Sequence, residues 1–164
     1  MRTTDILDDT FTTWAEQRPD LDFDGMQLVL KMGAVVRAAT EAVRPEFDEL
    51  GITLAEFDVL ATLRRRGLNT PLTPSLIAEV AMVKPSGLSH RLNRLESAGL
   101  VTRTPDADDR RSFLISITPA GRQVIDRAVD ILVTAKNSML GTLDERQRQS
   151  LHSMLDALVE RIDS

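Results

Sequence analysis

The stretch from Lys84 to Ile117, KPSGLSHRLNRLESAGLVTRTPDADDRRSFLISI, constrains this chain more than any other. It reads as an amphipathic helix stopped by a glycine, followed by two short extended runs around a charged, proline-containing turn. On a wheel at 100° per residue, Leu88, Leu92 and Leu95 fall within about 60° of one another. The opposite side carries Ser86, His90, Asn93, Arg94 and Ser97, with Ser89 beside them. That side has donors and acceptors but no carboxylate, which suits base edges and phosphates. Glu96 falls beside the leucines. Arg91 also leans toward them, so it is expected to turn inward and seek an acid. Gly99 stands where a helix C-cap belongs. Val101 to Thr104 and Ser112 to Ile117 are the expected strands, with PDADDRR as the hairpin tip. A helix and a β-ribbon are the two elements that enter nucleic-acid grooves.

The charge distribution supports this reading. The net charge is −5, yet residues 1–59 carry 5 basic and 13 acidic side chains, residues 60–122 carry 10 and 5, and residues 123–164 carry 5 and 7. Only the central third is basic, as expected where one patch meets phosphate. Six of those basic groups, Lys84, Arg91, Arg94, Arg103, Arg110 and Arg111, lie in the stretch itself. Arg110 and Arg111 at the tip are placed to enter a minor groove, where guanidinium is attracted by electronegative DNA.

The flanks read as helices. Residues 4–18 have Ile6, Leu7, Phe11 and Trp14 at roughly helical spacing, before Pro19. The sole tryptophan, Trp14, reads as a packing anchor. A long helix is predicted from about Asp24 to Leu50, kinked at Pro45 and closed by Gly51. Its apolar residues, Met26, Leu28, Val29, Met32, Val35, Val36 and Ala39, call for more than one partner surface. Thr53 and Glu56 form a capping box that opens a helix to about Arg66. Asp58 interrupts its apolar run and is expected to need a cation or a hydrogen bond. Thr73-Pro74 opens the next short helix and Lys84-Pro85 the one after it. Two short helices followed by a hairpin make a winged helix-turn-helix.

After Thr118 come two further helices. The first has Val124, Ala128, Ile131, Leu132 and Ala135 on one face, and the second has Leu151, Met154, Leu155, Leu158 and Ile162. With the long N-terminal helix they are read as a dimerisation bundle; an intramolecular cap on the winged domain is the alternative. The fold class is therefore mainly α with a small β-hairpin wing. Residues 1–50 form the N-terminal helices, 51–118 the DNA-binding domain and 119–164 the C-terminal helices.

Other function classes find little support. The chain has no cysteine, which excludes disulfides and Cys-based zinc sites. It has no tyrosine, and neither His90 nor His152 has a helical partner for a metal or a nucleophile motif around it. No enzyme, cofactor or metal site is expected. There is no apolar run of membrane-spanning length and no secretory signal, so a cytoplasmic protein is expected. A winged-helix protein-interaction module is the rival to DNA binding, and a ligand-independent DNA-binding regulator the rival to a ligand-responsive one.

The combination RLNRLESAGLVTR, DDRR and ITPAG resembles the MarR family of bacterial transcription regulators, over about residues 24 to 162. The resemblance implies an α-rich homodimer bound to a pseudo-palindromic double-stranded operator, commonly a repressor released by a small ligand. The added N-terminal helix with Trp14, the RPDLDF segment and FDVLATLRR look more narrowly like the PecS and urate-responsive branch. That likeness implies a ligand site for urate, xanthine or a related anionic purine at Trp14, Asp58, Arg91 and Arg103. It agrees with the inward lean of Arg91 and the expected need of Asp58 for a cation, so Arg91 and Arg103 are both expected to look inward to Asp58. The chain departs from the branch at Lys84-Pro85-Ser86-Gly87 and at His90, so the operator sequence does not carry over. The DNA-contacting set expected is Lys84, Ser86, Ser89, His90, Asn93, Arg94, Arg110 and Arg111.

Overall fold

The structure is a computed structural model that describes residues 3–66, 70–106 and 113–162. Two compact units divide it, residues 1–42 and 43–164. The first holds α1 (Thr3–Gln17) and α2 (Asp24–Glu41). The second holds α3 (Arg44–Glu49), α4 (Leu54–Arg66), α5 (Pro74–Val80), α6 (Pro85–Ser97), β1 (Val101–Pro105), β2 (Phe113–Ile117), α7 (Pro119–Met139) and α8 (Glu145–Ile162), with a short 3-10 turn at Leu140–Thr142. Mostly helical with one antiparallel hairpin, this is the winged helix-turn-helix order expected.

The helix expected from 24 to 50 is two helices rather than one kinked rod. In a continuous helix the ring of Pro45 would meet the carbonyl of Glu41, four residues earlier, and Pro45 has no N–H to donate. Accordingly α2 ends at Glu41, and Pro45 lies in the first turn of α3, where no donor is needed. The consequence reaches the core, because Val43 and Phe47 become fully buried members of the second unit.

That core is built by α4, α5, α6, the hairpin and the first half of α7. Leu88, Leu92 and Leu95 of α6 are all buried, as the wheel required. They meet Val59, Leu60 and Leu63 of α4, Ile77 of α5, and Ile115 and Ile117 of β2. The hairpin pairs Val101 with Ile117 and Arg103 with Ile115. Leu72 adds a third backbone partner, exchanging hydrogen bonds of 2.9 and 2.8 Å with Ile115.

Local chemistry sets the helix ends. At the start of α4 the Glu56 carboxylate accepts from Thr53 N–H at 2.8 Å, while Thr53 Oγ1 accepts from Glu56 N–H at 3.2 Å. This reciprocal capping box satisfies two otherwise unpaired donors. Gly99 closes α6 at φ +71°, a left-handed conformation that side chains disfavour. Gly121 is required for a different reason: a Cβ there would stand 2.1 Å from the carbonyl oxygen of Leu100. Thr118 accepts from Gly121 N–H at 3.0 Å and donates to Gly99 O at 2.7 Å. The ITPAG motif thus seats α7 directly on the end of α6.

The helix α7, expected in a bundle with α8, also packs on this core. Ile125, absent from the expected face, and Ala128 are completely buried in the winged core, and Arg64 of α4 grips Asp126 at 2.9 Å. Its first half is part of the winged unit's core. By contrast α8 buries no residue, and Leu151, Met154, Leu155, Leu158 and Ile162 are all exposed. Residues of α2 also remain open, among them Leu28, Val29, Val35 and Val36. No helix among the described residues is long and apolar enough to cross a membrane.

Candidate nucleic-acid interface

The α6 helix begins with Lys84 at its N-cap, in extended conformation, and Pro85 at its first position. The Lys84 side chain is exposed and makes no cap bond. With the leucines turned into the core, Ser86, Ser89, His90, Asn93 and Arg94 are exposed along the other side. Three residues separate the end of α6 from the hairpin, and β1 packs against that helix. Arg110 and Arg111, expected at the wing tip, lie outside the described residues.

Two of the outward residues are already engaged with the protein. Arg94 Nε lies 3.1 Å from Oε1 of Glu56, a carboxylate only 3% exposed, while the Arg94 side chain is half exposed. Glu56 therefore does more than cap α4: one oxygen takes Thr53 and the other faces the recognition helix. Asn93 Oδ1 accepts from Arg103 Nη2 at 2.6 Å. Arg103 Nε also stands 3.2 Å from Glu96 Oε2, at an angle too poor for a hydrogen bond. Arg103 thus bridges the first wing strand to α6.

This pairing differs from the inward contact expected between Arg103 and Asp58. Register explains it: Arg103 lies opposite Ile115 in the hairpin, beside the C-terminal half of α6. Arg91 does lean inward and is half-buried, donating through Nη1 to the Ala55 carbonyl at 3.3 Å. Asp58 does not form the expected ion pair with it. Instead Asp58 is solvent-exposed and borders two cavities. One, of about 420 Å³, lies among α4, the end of α5 and α7, lined by Phe57, Ala61, Val80, Ile125 and Val129 among others. The other, of about 400 Å³, lies between Asp58 and the start of α6, lined by Val83, Lys84, Ser86, Gly87 and Arg91. Met82 borders both. Loss of hydration raises the Asp58 pKa above the usual carboxylate value, and the positive charges of Arg91, Lys136 and Arg65 oppose that rise.

Trp14 belongs to the first unit. It is half exposed and its ring centre lies 6.3 Å from that of Phe23. Within the second unit the structure brings Asp58 and Arg91 to one cavity, and sets Arg103 on the wing side of α6.

Glu56, Lys136 and Met82 were not foreseen as site residues. A capping-box glutamate announces its bond to Thr53, but not the second oxygen left for a cation. Met82 carried a sharper signal, because it stands between two short helices where a left-handed turn is needed, and its φ is +52°.

The MarR family profile matches residues 50–112. The HTH-type transcriptional regulator PecS of Dickeya dadantii is 35% identical over 149 residues, covering 91% of this chain and 90% of that protein. A mutant of E. coli MarR solved with operator DNA superimposes with a TM-score of 0.71 at 23% identity, covering 83% of this chain and 96% of that one. The S. aureus MepR–DNA complex gives 0.73 at 19% identity, covering 81% and 96%. The two structural likenesses establish the fold, and the relationship to PecS extends it over nearly the whole chain.

Proposed function

We propose, given that the chain belongs to the MarR family of transcriptional regulators, that it binds a pseudo-palindromic duplex as a homodimer and represses transcription in the cytoplasm. The α6 helix enters the major groove, with Lys84, Ser86, Ser89 and His90 toward the DNA, and Asn93 and Arg94 on the same side. Arg110 and Arg111 reach the adjacent minor groove. The observation that carries this reading is the division of α6 into a buried leucine face and an exposed polar face whose one acid, Glu96, stands 3.2 Å from Arg103. Its relatives are named as transcriptional regulators rather than enzymes.

The homodimer follows from α8. Its apolar residues repeat at helical spacing and stay exposed, and a second copy of the same helix offers a matching surface. Sedimentation should show a dimer at micromolar concentration, and a strict monomer would remove this part of the reading.

The ligand part rests on Asp58 and Arg91. An anionic, planar aromatic compound such as urate or xanthine suits the cavity that Asp58, Val83, Lys84 and Arg91 line, where the positive charges of Arg91, Lys136 and Arg65 act on the one carboxylate. Trp14 and Arg103 join the set by the resemblance to the urate-responsive branch. About a hundredfold preference for the DNA-free state, roughly 2.7 kcal/mol, would make a useful switch. Urate titration should quench Trp14 fluorescence and release DNA; unchanged fluorescence together with unchanged DNA affinity would refute the ligand.

A further inference from the structure

We infer that Glu56 and Arg94 form a clasp that sets the position of the recognition helix, and that Arg94 acts through this pair rather than on phosphate. The inference rests on the DNA-binding reading and deepens it. Glu56 is the buried acidic side chain of the second unit's described residues. A carboxylate so placed is tolerated only where hydrogen bonds and a cation compensate its lost hydration. Thr53 N–H and Oγ1 take one oxygen, at 2.8 and 2.9 Å, and Arg94 Nε faces the other at 3.1 Å.

The geometry explains why such a pair matters to a helix already held by leucines. Apolar contact is non-directional, so Leu88, Leu92 and Leu95 resist removal of α6 more than its rotation or sliding. Glu56, by contrast, is fixed at both ends, by its own backbone in the first turn of α4 and by Thr53. A charge tied to that point fixes register. One turn earlier on α6, Arg91 donates to Ala55 O in the same first turn of α4. Two arginines three residues apart therefore grip one point, and the face bearing Ser86, Ser89 and His90 follows from where they hold. Glu56 and Arg94 are positioning residues in this account.

The test begins with duplexes selected from a random library by the unaltered full chain. Arg94→Gln, Glu56→Gln and the double variant are then titrated against a selected and an unrelated duplex over a salt series. Glutamine at 56 keeps an acceptor for Thr53, and the double variant changes no net charge. The clasp predicts that each variant loses about tenfold in affinity for the selected duplex, that the double loses no more than either single, and that binding to the unrelated duplex and the salt slope stay unchanged. Simple loss of fold would weaken both duplexes. If Arg94→Gln does not fold, the double variant, which leaves no buried charge unpaired, is compared with Glu56→Gln instead. A harmless Glu56→Gln beside an Arg94→Gln that weakens both duplexes and lowers the salt slope by about 0.9 makes Arg94 a phosphate contact and overturns the inference. Additive losses in the double variant overturn it too. Failure to enrich any duplex refutes DNA binding itself, and the clasp with it.

Discussion

Helices α6 and α8 carry leucines at the same helical spacing, and the fold treats them in opposite ways. In α6, Leu88, Leu92 and Leu95 are 1–3% exposed; in α8, Leu151, Leu155 and Leu158 are 36–48% exposed. An apolar period therefore states that a face needs cover, and says nothing about which molecule supplies it. The winged unit covers α6 with its own α4, α5 and hairpin, whereas α8 has no residue buried by the chain. The first face is closed within the fold, and the second is the one proposed above to meet another copy.

The sharpest way to break this contrast is the same substitution at both sites. Leu95→Ala should cost about 2–5 kcal/mol of unfolding free energy, since it opens a cavity in a closed core. Urea denaturation by circular dichroism reads it at any protein concentration. Gly121→Ala comes next, at about 1–3 kcal/mol, because the new methyl meets Leu100 O and α7 must shift from its seat on the core. Thr118→Ala, which removes the cap of α7, should cost about 1 kcal/mol in the same assay. Leu158→Ala should stay within about 0.5 kcal/mol in dilute protein and become costly only at concentrations where a dimer forms. A cost as large as that of Leu95→Ala in dilute protein would erase the contrast.

The smallest effect concerns Asp58. Its folded-state pKa is raised, chiefly by lost hydration, so the folded chain holds that proton more readily than the unfolded chain. Its contribution to stability therefore declines as pH climbs from the ordinary carboxylate value through the raised one. Asp58→Asn should remove that decline and slightly stabilise the protein at neutral pH, measured by thermal melts across the acidic range. A destabilised variant at neutral pH would show that the charged carboxylate has a favourable partner.

What the sequence made legible follows from the range of each interaction. The leucine face of α6, the Thr53–Glu56 box, Gly99 and the hairpin depend on neighbours within a few positions, and all take their expected places. The break after Glu41 was half legible: Pro45 announced a disturbance, but its ring acts four residues upstream, so the helix ends earlier than a kink at 45 suggests. Ile125 was missed although it lies beside Leu132 at the edge of the stripe drawn through Val124, Ala128, Ile131, Leu132 and Ala135, all of which pack on the core. The site pairings were least legible. Arg94 with Glu56 spans 38 positions, and the alternatives for Arg103, namely Asp58, Glu96 and Asn93, are separated only by the register of the hairpin. Asp58 in turn was expected to be buried because its neighbours are apolar, yet its side chain opens at a cavity edge.

The central claim is that the exposed polar face of α6 meets DNA, and its most direct test is the affinity for a library-selected duplex as a function of salt. The account predicts that log K falls linearly with log salt, with a slope of about −0.9 for each phosphate neutralised, and that His90→Ala weakens the selected duplex by about 1–3 kcal/mol while sparing an unrelated one. Salt-insensitive binding, or equal loss on both duplexes, would contradict it.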